Sequence, residues 1–276
     1  MSLLLLLTLG CTPESACPDW VEAVVGPNPF TELDETSGIA AGDGVLWLHN
    51  DTADAPALFA ISEQGDAIAR YQVLNATVND WEDITRADID DDPTLLIGDI
   101  GDNEESRAEI TIYAINEPAV AQQGTIIDSV VSAIPRSYTY PNHPANSEAL
   151  AWDPISGDLY LLTKHSGFST LYQVPESEGV LTELTTISVG SGALAGDNKV
   201  TGAAFSEEGS RFAISTRDEI WVWMRDGEAL EDLLHVAPCR VPVSEIGEIE
   251  AVAFDSTGRL VVTAEGVGAK ILAYSL

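Results

Sequence analysis

The feature that most restricts what this chain can fold into is a pattern written five times. "TSGIAAGDGVLWLHND" from Thr36, "WEDITRADIDDDPTLLIGDIGD" from Trp81, "SEALAWDPISGDLYLLTK" from Ser147, "TGAAFSEEGSRFAISTRD" from Thr201 and "IEAVAFDSTGRLVVTAEG" from Ile249 share one plan. Each reads as a short apolar strand, a turn rich in Gly, Asp or Ser, and a second β-rich strand. A third strand with an aromatic follows each pair, carrying Phe59, Tyr113, Tyr172, Trp221 and Tyr274 in turn. That periodicity marks the five rings as packing between repeats. Four units add a more polar fourth strand, "IARYQV" at 68–73, "VVSAI" at 130–134, "ELTTIS" at 183–188 and "DLLHVA" at 232–237; the fifth reaches Leu276 without one. Four-stranded units in series, with no helical period between them, predict an all-β fold, a five-bladed β-propeller.

A ring of blades must close, and blade five needs an outer strand. "WVEAVV" at 20–25 precedes blade one without a partner of its own, so it is expected to supply that strand. Cys17 lies just before it, and Cys239 is placed in the loop entering blade five. A Cys17–Cys239 disulfide would tie the closure; two unrelated thiols are the alternative. The first residues, "MSLLLLLTLGC", hold an apolar run too short to span a bilayer as a helix. They resemble a bacterial lipoprotein signal in which Cys11 is lipidated. The expected organisation is therefore a signal segment over 1–11, a linker over 12–19 and a single propeller domain over 20–276. The protein is expected to be exported to the bacterial periplasm or cell envelope as a monomer, touching membrane only through its lipid anchor.

Charge narrows the partners. Twelve Lys and Arg stand against 45 Asp and Glu, a net charge of −33. Such a surface repels phosphate backbones, which argues against nucleic acid, and it attracts cations. The same balance counts against a phytase-like activity, since Lys164, Lys199 and Lys270 are the only lysines to meet a polyphosphate.

"TSGIAA", "DWEDIT", "SEALAWDPISGDLYLL", "VTGAAFSEEGSRFAIS" and "EIEAVAFDSTGRLVV" resemble, in content and in order, the five blades of the SdiA-regulated family of bacterial exported propellers. The resemblance runs from about residue 35 to the end. It implies a five-bladed propeller and export, with a more distant similarity to lactonase-type and phytase-type propellers, and it implies no defined biochemical role.

Aligning the innermost strands on their apolar cores puts Ser37, Glu82, Glu148, Thr201 and Glu250 in register. Equivalent positions on innermost strands form a ring around the channel, so five oxygen-bearing side chains, three of them glutamates, should converge. Ionised glutamates about 6 Å apart repel by roughly 3 kcal/mol per pair at an effective dielectric near 20. Three readings compete: a bound cation, retained protons, or carboxylates that accept backbone hydrogen bonds and stitch the blades together. Oxygen donors without Cys or His favour calcium, with magnesium as the alternative. A second layer at the ends of the second strands comprises Asn50, Asp99, Lys164, Thr216 and Glu265, with His49 beside it. Such a layer could take a small-molecule or protein ligand at the channel face, or form ion pairs within itself.

Other motifs say less. The acidic turns at 88–93 and 98–106 miss the EF-hand spacing, with Pro93 where glycine is required in the first. No HExxH, Gly-x-Ser-x-Gly or phosphate-binding glycine loop occurs. His49 and His165 read as rim residues. The expected function is a binding or scaffold module with a divalent cation in an acidic channel. A metal-dependent lactonase or esterase is the alternative, with no catalytic residue singled out.

Overall fold

A computed structural model describes residues 17–53, 55–120, 126–188, 199–244 and 246–276. Strand β1 (Val21–Pro27) comes ahead of the ring. Blade one is β2 (Thr36–Ala41), β3 (Val45–Asn50), β4 (Ala57–Ser62) and β5 (Ala67–Leu74). Blade two is β6 (Trp81–Ile89), β7 (Asp92–Asp99) and β8 (Ile110–Asn116), completed by β10 (Ile134–Thr139) after an excursion through β9 (Ile127–Ser132). Blade three is β11 (Ser147–Asp153), β12 (Asp158–Thr163) and β13 (Ser169–Val174), with the two-residue β14 (Gly179–Val180) ahead of its outer strand β15 (Thr182–Ile187). Blade four is β16 (Val200–Phe205), β17 (Arg211–Thr216) and β18 (Ile220–Met224), then the one-turn helix α1 (Leu230–Leu233) and the outer strand β19 (Cys239–Val241). Blade five is β20 (Ile249–Phe254), β21 (Leu260–Ala264) and β22 (Lys270–Ser275), finished by β1. The innermost strands β2, β6, β11, β16 and β20 each neighbour the next, and β20 neighbours β2, so the ring is closed.

Alternation along the strands is what packs blade on blade. In β12, Leu161 packs toward blade two while Tyr160 and Leu162 pack toward blade four. Five apolar clusters result among the described residues, one at each blade interface. Phe59, Tyr113, Tyr172 and Tyr274 lie in these clusters, and Trp221 packs half-buried against another.

Two outer strands differ from expectation. "VVSAI" is not the fourth strand of blade two: β9 leaves that blade and pairs in parallel with β5 of blade one, Ala69 opposite Ile127. The fourth position is filled by β10, antiparallel to β8. In the same manner β14 crosses from blade three to pair with β10. "DLLHVA" is not a strand either, because Leu230, Leu233 and Leu234 at helical spacing bury one face of α1 against the blade three–four cluster. The outer strand of blade four is β19, so Cys239 sits in a strand and not in a loop.

Closure follows the expected route. β1 runs antiparallel to β22 from Val21 opposite Ser275 to Pro27 opposite Lys270. Cys17 is bonded to Cys239 with 5.4 Å between Cα atoms, joining the strand that completes blade five to the rim of blade four. Cys11 lies outside the described residues. No helix among the described residues is long and apolar enough to cross a membrane. Cys17→Ser should lower unfolding stability by about 2–5 kcal/mol, as expected for a bridge closing so long a loop. Matched urea titrations of the oxidised wild type and the variant would measure it, and superimposable curves would show that β1 holds the ring without help.

Candidate metal centre at the channel mouth

In all five innermost strands the pairing with the second strand slips by one residue at the same place. The slips fall between Thr36 and Gly38, Trp81 and Asp83, Ser147 and Ala149, Val200 and Gly202, and Ile249 and Ala251. The extra residues are Ser37, Glu82, Glu148, Thr201 and Glu250. A β-bulge takes its extra residue out of the ladder and re-aims the side chain. All five are buried, Glu148 to 2% exposure.

The five do not act alike. Ser37 Oγ donates to the Glu82 backbone oxygen at 2.7 Å and reaches Glu82 Oε2 at 3.3 Å, joining blade one to blade two. Thr201 turns into its own blade and bonds Ser215 Oγ at 3.2 Å. The three glutamates gather around Lys164, whose Nζ donates to Glu148 Oε2 at 2.6 Å and whose pKa is raised by Glu148, Glu82 and Glu250 despite burial. Burial raises the Glu148 carboxyl, while Lys164, Glu82 and Asn146 hold it down through charge and hydrogen bonds. Glu82 is pushed well above the usual carboxylate range by burial, then by Glu148, Asp51 and Asp80. Glu250 is raised to about 7, first by burial. Lys164 thus pairs with Glu148, while burial and the neighbouring carboxylates favour the protonated form of Glu82.

Two residues outside the aligned ring complete the site. Asp51, just beyond β3, and Asp80, just ahead of β6, stand with Glu82 so that one oxygen of each lies within 4.8 Å of the others. Ionised together at about 5 Å, each pair would repel by roughly 3 kcal/mol at an effective dielectric near 20. Asp51 is accordingly raised to about 8, by burial first and then by a hydrogen bond and charge from Asp80. Asp51 Oδ1 is buried without a partner among the described residues. Gly101 leaves the space open, since a Cβ there would stand 2.3 Å from Glu82 Oε1 and 2.4 Å from Asp80 Oδ2. Three hard oxygen donors, an orphan carboxylate oxygen and a gap beside them suit a divalent cation, which takes oxygen ligands and keeps waters in its remaining positions.

Behind this mouth the channel is floored by Asp83. Its Oδ1 accepts from Ile84 N at 2.8 Å, and its Oδ2 accepts from Leu150 N at 2.9 Å and Ala203 N at 3.4 Å, so one buried carboxylate ties three blades together. Burial raises its pKa, and the three amides oppose that rise.

The second layer is only partly a layer. Asn50, Asp99 and Thr216 lie opposite the bulges, whereas Lys164 and Glu265 stand one residue further on, past Thr163 and Ala264. Asn50 is taken up by the 32–35 loop, donating to Glu32 O at 2.7 Å. Asp99 accepts from Asn79 Nδ2 at 3.0 Å and pairs with Arg107 at 2.8 Å. Thr216 bonds within its own turn to Glu219. Glu265 is exposed at the rim, near Glu35 and Glu248. His49 is wholly buried edge-on to Trp81; its Nδ1 donates to Asn50 O at 3.0 Å, and burial pushes its pKa down to about 4. It is a core imidazole. Asp51 and Asp80 escape a strand alignment because both lie on connecting turns; the signal for Asp80 is the acidic run "NDWED" at 79–83, and Asp51 stands alone after His49-Asn50.

No protein-family model matches the sequence, and no curated protein sequence matches it, so the resemblance to the SdiA-regulated family rests on the quoted motifs alone. Solved structures do match in shape. The PQQ-bound form of an aldose sugar dehydrogenase from Streptomyces coelicolor aligns with a TM-score of 0.52 at 14% identity, over 94% of this chain and 99% of that one. A glucose dehydrogenase aligns at 0.53 and 12%, over 93% and 99%. The apo-form of the soluble aldose sugar dehydrogenase from Escherichia coli aligns at 0.52 and 11%, over 93% and 99%. At these identities the likeness is one of propeller fold.

Two outcomes follow from this geometry. Gly101→Ala removes no charge yet displaces the Glu82 and Asp80 carboxylates, and should weaken calcium binding at least about tenfold in calorimetry, a loss of about 1.4 kcal/mol. Unchanged affinity would place any cation elsewhere. The second outcome concerns pH. Asp51 and Glu250 titrate higher folded than unfolded, so the stability tied to their protons is present at low pH and lost as pH rises through about 7 to 8. Metal-free protein should therefore melt progressively lower between about pH 5 and 8.5, and the increment added by calcium should grow over that range. A calcium increment that ignores pH would separate the cation from these carboxyls.

Proposed function

We propose that this protein is an exported, lipid-anchored β-propeller of the bacterial cell envelope. In this reading it works as a binding or scaffold module whose acidic channel mouth holds a divalent cation, calcium in preference to magnesium. The observation that carries this is the Asp51–Asp80–Glu82 triad with its unpartnered oxygen and the gap beside Gly101. Asp51, Asp80 and Glu82 would hold the ion. Their mixture of short and long carboxylates, completed by water, suits calcium's loose coordination better than magnesium's strict octahedron. Export is supported by the Cys17–Cys239 disulfide, which persists in oxidising compartments, and anchoring by the lipoprotein-like sequence ending at Cys11. The SdiA-regulated family, with its exported propellers, is the family this reading favours.

One feature favours a second reading, a metal-dependent hydrolase of the lactonase or esterase type. Asp51 at about 8 and Glu250 at about 7 titrate where a general acid or base works best. A calcium ion held there would polarise a substrate carbonyl. Glu250 could then carry a proton to or from the reacting group, and Lys164 could steady a developing negative charge. A redox role borrowed from the sugar dehydrogenases fits less well. PQQ is a tricarboxylate, and the cations around this mouth, Lys164, Arg107 and Arg217, are engaged by Glu148, Asp99 and Glu248. These side chains offer such a cofactor no cationic cradle.

Elemental analysis and thermal melts of the purified protein test the proposal. It should carry one equivalent of calcium, and calcium at about a hundred times its Kd should raise Tm by roughly 5 °C or more over EDTA-treated protein. Glu82→Gln and Asp80→Asn should abolish that rise. A melt indifferent to both excess calcium and EDTA would sink the cation site. Calcium-dependent turnover of a lactone or aryl ester, lost in Glu250→Gln while calcium still binds, would select the hydrolase over the module.

A further inference from the structure

The opposite end of the channel holds a cavity that the cation site does not explain. The bulges stand at the first residues of the innermost strands; this cavity, of about 330 Å³, lies at their last residues, beyond the Asp83 floor. All five blades contribute to it, through Ala41, Arg86, Trp152, Ala204 and Phe254 among others. Its size falls at the small end of ligand pockets, which run from about 300 to 1,000 Å³. Its lining includes the buried Ile39 and Ile84 and the half-buried Trp152, among polar groups such as Thr85 and Ser206. Two half-buried alanines, Ala41 and Ala204, leave the entrance open.

Its charge is one-sided. Arg86 is the guanidinium among the lining residues, and it is already engaged by Glu117 at 2.7 Å and Asp88 at 3.3 Å. Glu207 acts on Arg86 across the channel from blade four, and Asp43 lines the same rim from blade one. Asp255, also in the lining, is matched by Arg259 at 2.7 Å. One paired guanidinium therefore faces four carboxylates, Glu117, Asp88, Glu207 and Asp43, of which the last three are exposed. An anion entering this pocket meets net repulsion. A cation meets carboxylates at the rim and apolar surface within.

We infer that this cavity binds a small organic cation with an apolar body, an alkyl- or arylammonium compound. Its ammonium sits at the Asp43–Glu207 rim and its body lies against Trp152. The site is independent of the calcium proposal, because the cavity and the Asp51–Asp80–Glu82 triad share no residue and lie at opposite ends of the innermost strands.

Calorimetry on the full chain in saturating calcium tests this, with benzylammonium as the probe and phenylacetate and benzyl alcohol as its anionic and neutral counterparts. Benzylammonium should bind saturably at one site, benzyl alcohol about tenfold more weakly and phenylacetate not at all. Ala204→Leu fills the entrance from a half-exposed position and should abolish binding. Asp43→Asn combined with Glu207→Gln changes only exposed groups, and should bring benzylammonium down to the affinity of benzyl alcohol. Glu82→Gln at the far mouth should leave binding unchanged. No saturable binding of benzylammonium, equal binding of phenylacetate, or indifference to Ala204→Leu in a variant that melts like wild type would overturn the assignment. So would loss of binding in Glu82→Gln, since that would put the ammonium in the acidic mouth.

Discussion

Everything described here depends on one pairing, β1 against β22. Those strands come from opposite ends of the ring, and until they meet, blade five lacks its outer strand and shows an unpaired edge. A ring closed by one strand carries the entropy of a long loop, which is why a covalent tie at the same place is a sensible companion. Only when the ring is closed do the five innermost strands share one axis. Only then do Glu82, Glu148 and Glu250 become neighbours.

That convergence is expensive. Burying several carboxylates together is unfavourable unless each finds a proton, a cation or a set of donors. The channel uses each remedy at a different depth. Lys164 pairs with Glu148, burial and mutual repulsion raise the pKa values of Glu82 and Asp51 toward their protonated forms, and backbone amides from three blades meet Asp83. The deepest carboxylate is satisfied by the fold itself and acts as a structural staple. The shallower ones keep an unpartnered oxygen and raised pKa values, a combination that a fold built for stability alone would have removed. This gradient from satisfied to unsatisfied, read from floor to mouth, locates the candidate site.

How much of this was legible beforehand varies with position in the blade. The equivalence of Ser37, Glu82, Glu148, Thr201 and Glu250 could be read because each stands directly before the same apolar core in its repeat. The innermost strands are buried on both faces and keep an unmistakable apolar core. Outer strands have one wet face and weak patterning, so "VVSAI" and "DLLHVA" were misplaced: one crosses to the neighbouring blade as β9, the other gives way to α1. The partner of Glu148 is sixteen residues away in sequence and sits just past the end of β12, where a one-residue uncertainty in register hides it. Asp51 and Asp80 lie on turns, which a strand alignment does not reach.

Taken alone, the sequence determined the class of fold, the number of blades, the strand that closes the ring and the five equivalent positions at the starts of the innermost strands, and it offered Cys17 and Cys239 as a pair that the structure joins. These are properties of a repeat, and periodicity is written locally. The tertiary structure decided which carboxylates bring their oxygens within 4.8 Å of one another, that Lys164 lies among the glutamates, that Asp83 ties three blades together, and that a cavity lies at the far end. The physical reason is that these groups belong to different blades or to the turns between them. Their separations depend on how tightly the ring packs and on the path each turn takes across its face, and no single repeat carries that information.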